Sequence, residues 1–367
     1  MKLATLANAS VVHTRRWVEH FRARGHDVRV YSLEPGWNGD IVRLPALPLP
    51  GALRYPLAVP GLRRELERFA PDLVDAHFVP NYGLMGALSG FRPLSVAAWG
   101  SDLLVSPGPL RSARSRFVLG HAALVLCDAA NLAEAACRAG ADPARVRTIS
   151  WGVDRVLFRP APGREHGLLL STRMHEDVYD LETVIEGAAR VLAAHPHAQL
   201  VLAGDGSRRA ALERLAASRL PGGRHRFVGR LSPAEMAGWL ARAEVYVSAS
   251  RSDSTSQSLL EAMAAGALPV VSDIPGNREW VTDGDRADAG DRRGLVGLAQ
   301  LFAPGDAQGL ADAVERALGD AEWAGRARAR NAEVIAARGD WDVNLSRIES
   351  CFEALAHGRP LPPAEAA

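Results

Sequence analysis

The sequence predicts an α/β fold built as two parallel-sheet domains in tandem, and three observations carry that prediction. The stretch Glu244 to Val281, EVYVSASRSDSTSQSLLEAMAAGALPVVSDIPGNREWV, reads as strand, polar turn, helix, strand, polar turn, the alternation that builds a parallel sheet with crossover helices. The same alternation of short apolar runs and helix-period segments passes through both halves of the chain. At 367 residues the chain exceeds one comfortable core and suits two domains of ordinary size.

Taken in order, Leu3 to Ala7 reads as a strand, Thr14 to Arg24 as a helix ended by Gly25, and Val28 to Leu33 as the strand that closes a βαβ unit. Pro and Gly from Pro35 to Pro60 predict loops with a short strand near Ile41 to Leu44, after which Leu62 to Phe69 is helical. Leu73 to Phe78, Ser95 to Trp99 and Ala123 to Cys127 are further strands. In the second half, strands are expected at Leu168 to Ser171, Gln199 to Ala203, His225 to Val228, Val245 to Val247, Leu268 to Ser272 and Gln300 to Phe302. Helices are expected to begin near Leu181, Arg208, Pro233, Gln257, Ala307 and Glu322. A last helix, Asn344 to Ala356, carries Leu345, Ile348, Phe352 and Leu355 at helical spacing, and the Pro- and Ala-rich Gly358 to Ala367 is expected to fray.

Within the organising stretch, Val245 to Val247 and Leu268 to Val271 suit strands buried on both faces. Ser254 and Gln257 have the spacing of a capping box, which predicts a helix beginning there and ending at Gly266. Leu259, Leu260 and Met263 then face the sheet, while Asp253 precedes the positive helix end and Glu261 lies off the apolar face. A helix start behind Ser-Thr-Ser offers amides and hydroxyls to an anion, and the two carboxylates that bracket it suit sugar hydroxyls. Ligands of open parallel sheets collect beyond the carboxyl ends of the strands. The polar residues expected there are Asn8 and Ser10, His77, Ser101 and Asp102, Arg173, Asp205, Arg230, Asp253, and Asp273 with Asn277.

Composition excludes several functions. A formal net charge of +1 argues against a protein that grips nucleic acid along a basic surface. Cys127, Cys137 and Cys351 are too few and too scattered for a disulfide framework or a metal site, so a reducing, cytoplasmic setting is the default. Met1 to Ala9 reads as a first strand, not a signal peptide. Lys2 is the sole lysine, which leaves no P-loop lysine, Schiff-base lysine or lysine clamp in the body of the chain; any phosphate falls to arginine, amides and hydroxyls. No His or acidic spacing suggests a metal. The segment Leu110 to Ala122, with Arg111, Arg114 and Arg116 beside Phe117, Val118 and Leu119, is read first as a solvated helix face and second as a peripheral contact with the inner face of the membrane.

Asp253, seven residues, Glu261, then AMAAG, a PVV strand and a Gly-Asn-Arg-Glu turn together resemble the E-x7-E signature of retaining GT-B glycosyltransferases of family 4, with Asp in place of the first Glu. The resemblance implies two Rossmann-like domains facing across a cleft: 1–155 on the acceptor side, 156–340 binding the nucleotide sugar, and 341–367 as a helix returning to the first domain. It implies transfer of a sugar from a nucleotide-diphosphate sugar to a hydroxyl acceptor (a sugar, a lipid-linked sugar or a small natural product) without metal or cofactor.

Residue by residue, the resemblance assigns the diphosphate to Arg173, the base to the strand end Phe227 to Arg230 (Val228, Gly229, Arg230), the ribose to Glu261 and the transferred sugar to Asp253. Ser254, Thr255, Ser256 and Gln257 cradle phosphate and sugar. His77 contacts the donor sugar, and Asn8, Ser10, His13, Ser101 and Asp102 lie toward the acceptor. The family's diphosphate lysine is absent, Tyr179 stands near its place, and Arg230 or Arg251 are candidate substitutes. The chain offers no second carboxylate with a claim to nucleophile status, so the implied mechanism is front-face, with the leaving diphosphate helping to deprotonate the acceptor. The missing lysine keeps open a GT-B phosphorylase, a pseudo-glycosyltransferase, or a non-catalytic nucleotide-sugar binder.

Overall fold

The computed structural model of the chain describes residues 1–37, 41–45, 53–105, 108–282, 295–296 and 298–364. It divides into two units, Met1–Ser150 with Val343–Ala367, and Trp151–Asp342. The boundaries expected at 155 and 340 therefore fall at 150 and 342.

The first unit holds β1 (Lys2–Leu6), α1 (Val12–Ala23), β2 (Asp27–Ser32), β3 (Ile41–Arg43), α2 (Arg54–Phe69), β4 (Leu73–His77), α3 (Leu84–Ser89), β5 (Leu94–Ala97), α4 (Pro109–His121), β6 (Leu124–Cys127), α5 (Ala130–Arg138) and β7 (Val146–Thr148). The seven strands lie in the order β3-β2-β1-β4-β5-β6-β7, all parallel. Strand order reverses between β1 and β4, where Leu3 pairs with Leu73 and Leu6 with Ala76. Strands β4, β5 and β6 are buried along their whole length, as apolar runs covered by helices on both faces must be.

The main departure from expectation is α2, which starts at Arg54 inside the stretch read as loop. Its interior Pro60 forgoes a backbone hydrogen bond, but Tyr55, Ala58, Val59, Leu62 and Leu66 all bury. Five core side chains outweigh one broken rung at roughly 1.5–3 kcal/mol for each large one. Strand β7, only three residues long, escaped the sequence reading.

The second unit holds β8 (Glu165–Ser171), α6 (Leu181–Ala194), β9 (Gln199–Ala203), α7 (Arg209–Arg219), β10 (His225–Gly229), α8 (Pro233–Arg242), β11 (Ala243–Ser248), α9 (Gln257–Ala265), β12 (Leu268–Ser272), α10 (Pro275–Val281), β13 (Leu295–Val296), β14 (Ala299–Phe302), α11 (Ala307–Gly319) and α12 (Ala321–Arg338). Its sheet runs β10-β9-β8-β11-β12-β14-β13, parallel except for the β13–β14 hairpin. Here the order reverses between β8 and β11. The capping expectation for α9 needs correction: the cap is Ser256, whose Oγ accepts from the Leu259 N–H at 3.3 Å, and Ser254 lies in the loop before it. The helix ends as expected at Gly266, in the left-handed region at φ +79°.

Helix α13 (Trp341–Ala356) counts with the first unit from Val343 on. Leu345, Ile348 and Phe352 are buried, and the Phe352 ring stacks on Phe21 with centroids 5.4 Å apart. Glu349 holds His26 at 2.6 Å and Arg24 at 2.5 Å. The tail does not fray from Gly358 as expected, because the Pro362 carbonyl accepts from Arg147 Nε at 2.7 Å; residues 365–367 of that expectation lie outside the described residues.

Candidate functional site

Both order reversals carry a polar constellation, as the rule for open sheets requires. In the second unit it forms where the chain leaves β8 and β11. Arg173, buried at the end of β8, donates from one terminal nitrogen to Asp253 Oδ2 at 2.5 Å and from the other to Ser256 Oγ at 2.7 Å. Its guanidinium carbon stands 4.1 Å from the centre of the Tyr179 ring. Burial alone would push its pKa down, but the Asp253 carboxylate outweighs it and the net shift is upward. The cation is therefore held charged with two of its five N–H groups spoken for in these bonds, and its Nε–H makes no hydrogen bond among the described residues. Ser256 ties the guanidinium directly to the start of α9, the anion-favouring end of a helix.

Neighbouring loops lock this arrangement. The Arg251 N–H donates to the Val178 carbonyl at 2.8 Å, and the Arg251 guanidinium reaches Asp180 at 3.0 Å. Arg251 thus braces the segment in which the family's lysine is missing, while Arg230 is exposed at the end of β10. Ser254, Thr255 and Ser256 are all buried, and Thr255 Oγ1 accepts from Trp280 Nε1 at 3.2 Å. Under this loop sits Gly276, where any Cβ would overlap the Ser254 carbonyl oxygen. Asn277 Nδ2 donates to the Ser272 carbonyl at 2.8 Å. Gln257 and Glu261 are half-buried on α9, with Leu259, Leu260 and Met263 fully buried on its sheet side.

At the next strand ends, a Cβ on Gly204 would lie 2.6 Å from the Arg173 carbonyl oxygen, and the Gly204 N–H donates to the Gly229 carbonyl at 2.8 Å. The Gly-Asp-Gly turn is therefore a close-packing device. Val228 and Gly229 are half-buried, Gly229 with φ +73°. His175 was not anticipated: it is fully buried, edge-on to Phe227 at 5.7 Å, with neither ring nitrogen hydrogen-bonded among the described residues. Burial, then Arg209, lowers its pKa.

In the first unit the reversal between β1 and β4 opens a cavity of about 320 Å³. Asn8, His13 and His77 line it, together with Val11, Thr14, Asn81 and the aromatic Tyr55, Phe78, Tyr82 and Trp99. His77 Nε2 meets Asp75 Oδ2 at 2.9 Å. The two residues alternate along β4 and so share a face, a signal the sequence offered and the reading missed. Trp17 packs edge-on against His77 at 5.0 Å. Directly after His77 comes Phe78 at φ +72°, a conformation that costs a bulky residue about 1–3 kcal/mol, opening a widened turn of π-helical type over Phe78–Gly83. Such turns recur at functional sites.

Asp102 corrects its assignment to the acceptor. It is fully buried, and its two oxygens accept from the Val79 and Trp99 N–H groups at 3.0 Å each, so it staples the strained turn to the Trp99 wall. Burial raises its pKa against those hydrogen bonds. Ser10 and Ser101 are exposed and lie outside the cavity lining; the Ser10 hydroxyl donates to Asn8 Oδ1 at 2.7 Å. His13 has its pKa pushed down to about 4 by burial and then by Arg16, so it is neutral near pH 7. In α4, the Val118 and Leu119 offered for a membrane contact are core residues, and Leu110 and Phe117 are the exposed ones. No helix among the described residues is long and apolar enough to cross a membrane.

These two constellations can be set beside known proteins. Residues 10–156 match the family model for Glycosyltransferase Family 4, and residues 165–320 match that for Glycosyl transferases group 1. The sulfoquinovosyl transferase SQD2 of Arabidopsis thaliana is 26% identical over 339 residues, or 84% of this chain; the chain spans 63% of the length of that curated relative. Among solved structures, the sucrose-phosphate synthase of Thermosynechococcus elongatus superposes with a TM-score of 0.81 at 18% identity, over 98% of this chain and 100% of that one. Anabaena HepE, solved with UDP and glucose, gives a TM-score of 0.81 at 16% identity over 97% and 100%. With one family model on each unit and the whole-chain likeness to these folds, the chain belongs to the group 1, family 4 glycosyltransferases and has the GT-B fold.

Proposed function

We propose that this chain transfers a sugar, with retention of anomeric configuration and without a metal, from a nucleotide-diphosphate sugar to a hydroxyl acceptor. The observation that carries the reading is the Arg173–Asp253–Ser256 constellation at the start of α9. A fixed guanidinium at the positive start of a helix suits a diphosphate, and half-buried carboxylates beside it suit sugar hydroxyls. HepE is a fold neighbour solved with UDP and with UDP-glucose, which supports a nucleotide sugar as donor.

In this reading Arg173 meets the diphosphate through N–H groups its present partners leave over, and Asp253 keeps it aimed. Glu261 takes the ribose, and Asp253 takes the transferred sugar. Within the first unit, His77 is oriented by Asp75. The base rests on Val228 to Arg230. Charge building on the leaving diphosphate is met by the guanidinium and the helix start, and the departing oxygen takes the acceptor proton on the same face of the sugar. The reaction belongs in the cytoplasm, where nucleotide sugars are supplied. Incubation with a panel of nucleotide sugars tests the proposal: donor consumption that persists in excess chelator supports it, and donor consumption lost on chelation and restored by a divalent cation contradicts its metal-free part.

A further inference from the structure

Resting on that reading, we propose that the cavity of the first unit receives an uncharged, largely apolar body of the acceptor, and that the Asn81 side chain orients the reacting hydroxyl. Several polar groups of the walls have partners within the protein, although His77 Nδ1 is buried with no hydrogen bond among the described residues. Tyr55 Oη accepts from Arg54 at 3.0 Å. Tyr82 Oη donates to Glu34 and accepts from the Leu33 N–H at 3.0 Å. Asn8 Oδ1 is taken by the Ser10 amide at 2.8 Å and by its hydroxyl, and His77 Nε2 by Asp75. What remains for a ligand is mainly ring faces and alkyl carbon.

Charge is equally absent. Glu34, behind Tyr82, is ion-paired to Arg54, and no described lining residue is acidic or basic apart from two histidines, of which His13 is neutral near pH 7. An anionic group entering would lose hydration with no cation to meet it. The lining residue Val11 is 38% exposed and carries the apolar character to the surface. Against this background Asn81, half-buried on the strained turn, has a side-chain amide that makes no hydrogen bond among the described residues. An amide with no hydrogen bond among the described residues, in a largely apolar cavity, is the pattern of a site that fixes orientation with few polar groups.

The test is calorimetric titration of the full chain with three probes: n-octyl β-D-glucoside below its micellar range, glycerol, and glycerol 3-phosphate. Saturable binding of octyl glucoside alone is expected. Tyr55→Ser and Asn81→Ala should each weaken it about tenfold, the scale of a few buried carbons or one hydrogen bond. Should Tyr55→Ser fail to fold, Val11→Asp at the exposed rim serves in its place with the same expected loss. Tighter binding of glycerol 3-phosphate, or variants within twofold of the parent for octyl glucoside, would overturn the inference. UDP titrated into the same samples separates the two readings. Octyl glucoside binding without UDP binding sinks the donor assignment alone, and the reverse sinks this inference alone.

Discussion

Removing Arg173 probes the donor site through two quantities that should move by different amounts. In Arg173→Ala, Asp253 loses its cation and Ser256 a donor. Breaking a fully buried ion pair costs about 3–5 kcal/mol, but the Asp253 side chain keeps 18% of its surface, so water takes over part of the charge and a loss of about 2 kcal/mol in unfolding free energy is expected. Donor affinity should fall further in proportion. A charged hydrogen bond to a diphosphate contributes about 1.5–3 kcal/mol, which is about 10- to 150-fold in Kd. Urea denaturation gives the first number and titration with UDP the second. Arg173→Lys separates charge from shape, since one ammonium cannot serve Asp253, Ser256 and a phosphate together, and it should fall between parent and Ala. Adding Asp253→Asn to Arg173→Ala should recover stability without recovering affinity. UDP binding by Arg173→Ala within threefold of the parent would refute the reasoning, because it would mean that the guanidinium serves only its ion pair.

Four further outcomes follow from the same geometry. Glu261→Ala should cut turnover by at least about a hundredfold, as expected for losing a group that positions the donor, with the melting temperature little changed; normal donor turnover would remove Glu261 from the site. Gly276→Ala should drive the Asp253–Ser254 loop away from the β12 end and cost about 1–3 kcal/mol of stability together with donor affinity, read by thermal unfolding and UDP titration; an unchanged melting temperature would contradict the close approach. Asp102→Ala leaves two buried N–H groups unpaired at about 1–3 kcal/mol each, so it should destabilise the first unit while UDP binding survives. His13 gives a pH dependence. Folding lowers its pKa from 6.5 to about 4, so its contribution is complete above the unfolded value and lost as pH falls toward the folded one, where the unfolded chain takes up the proton first. Discounting for the part of the ring that faces the cavity, the parent should lose about 1 kcal/mol more than His13→Gln between pH 7 and 5, measured by urea denaturation; equal losses would contradict this.

How far the sequence disclosed this molecule depended on what kind of signal each part carries. Strands such as β4 and β12 are short apolar runs bounded by turns, and their burial on both faces makes them visible locally. The α9 loop was visible because acid, hydroxyls and acid sit within one helical turn or two of each other, although the cap fell to Ser256, the hydroxyl that also receives Arg173. That choice is tertiary and leaves no local mark. The start of α2 was hidden for a related reason: Pro56 and Pro60 signal loop, and only packing of Tyr55 and Val59 against a distant core overrides them. The cavity wall was the least legible. Phe78 owes its left-handed backbone to Asp102, twenty-odd residues on, and Asp102 looked like a ligand group because an acid at a strand end usually is exposed there. Asp75 was readable in principle, being two residues before His77 on one strand.

Sugar transfer from a diphosphate donor with the anomeric configuration kept is the central step proposed for this chain. Proton NMR of the reaction mixture, with each α-configured nucleotide sugar of a panel and octyl glucoside as acceptor, reads this directly. An α-linked product accumulating together with free nucleoside diphosphate is the predicted result; a β-linked product, or no product from any donor the chain binds, would contradict it.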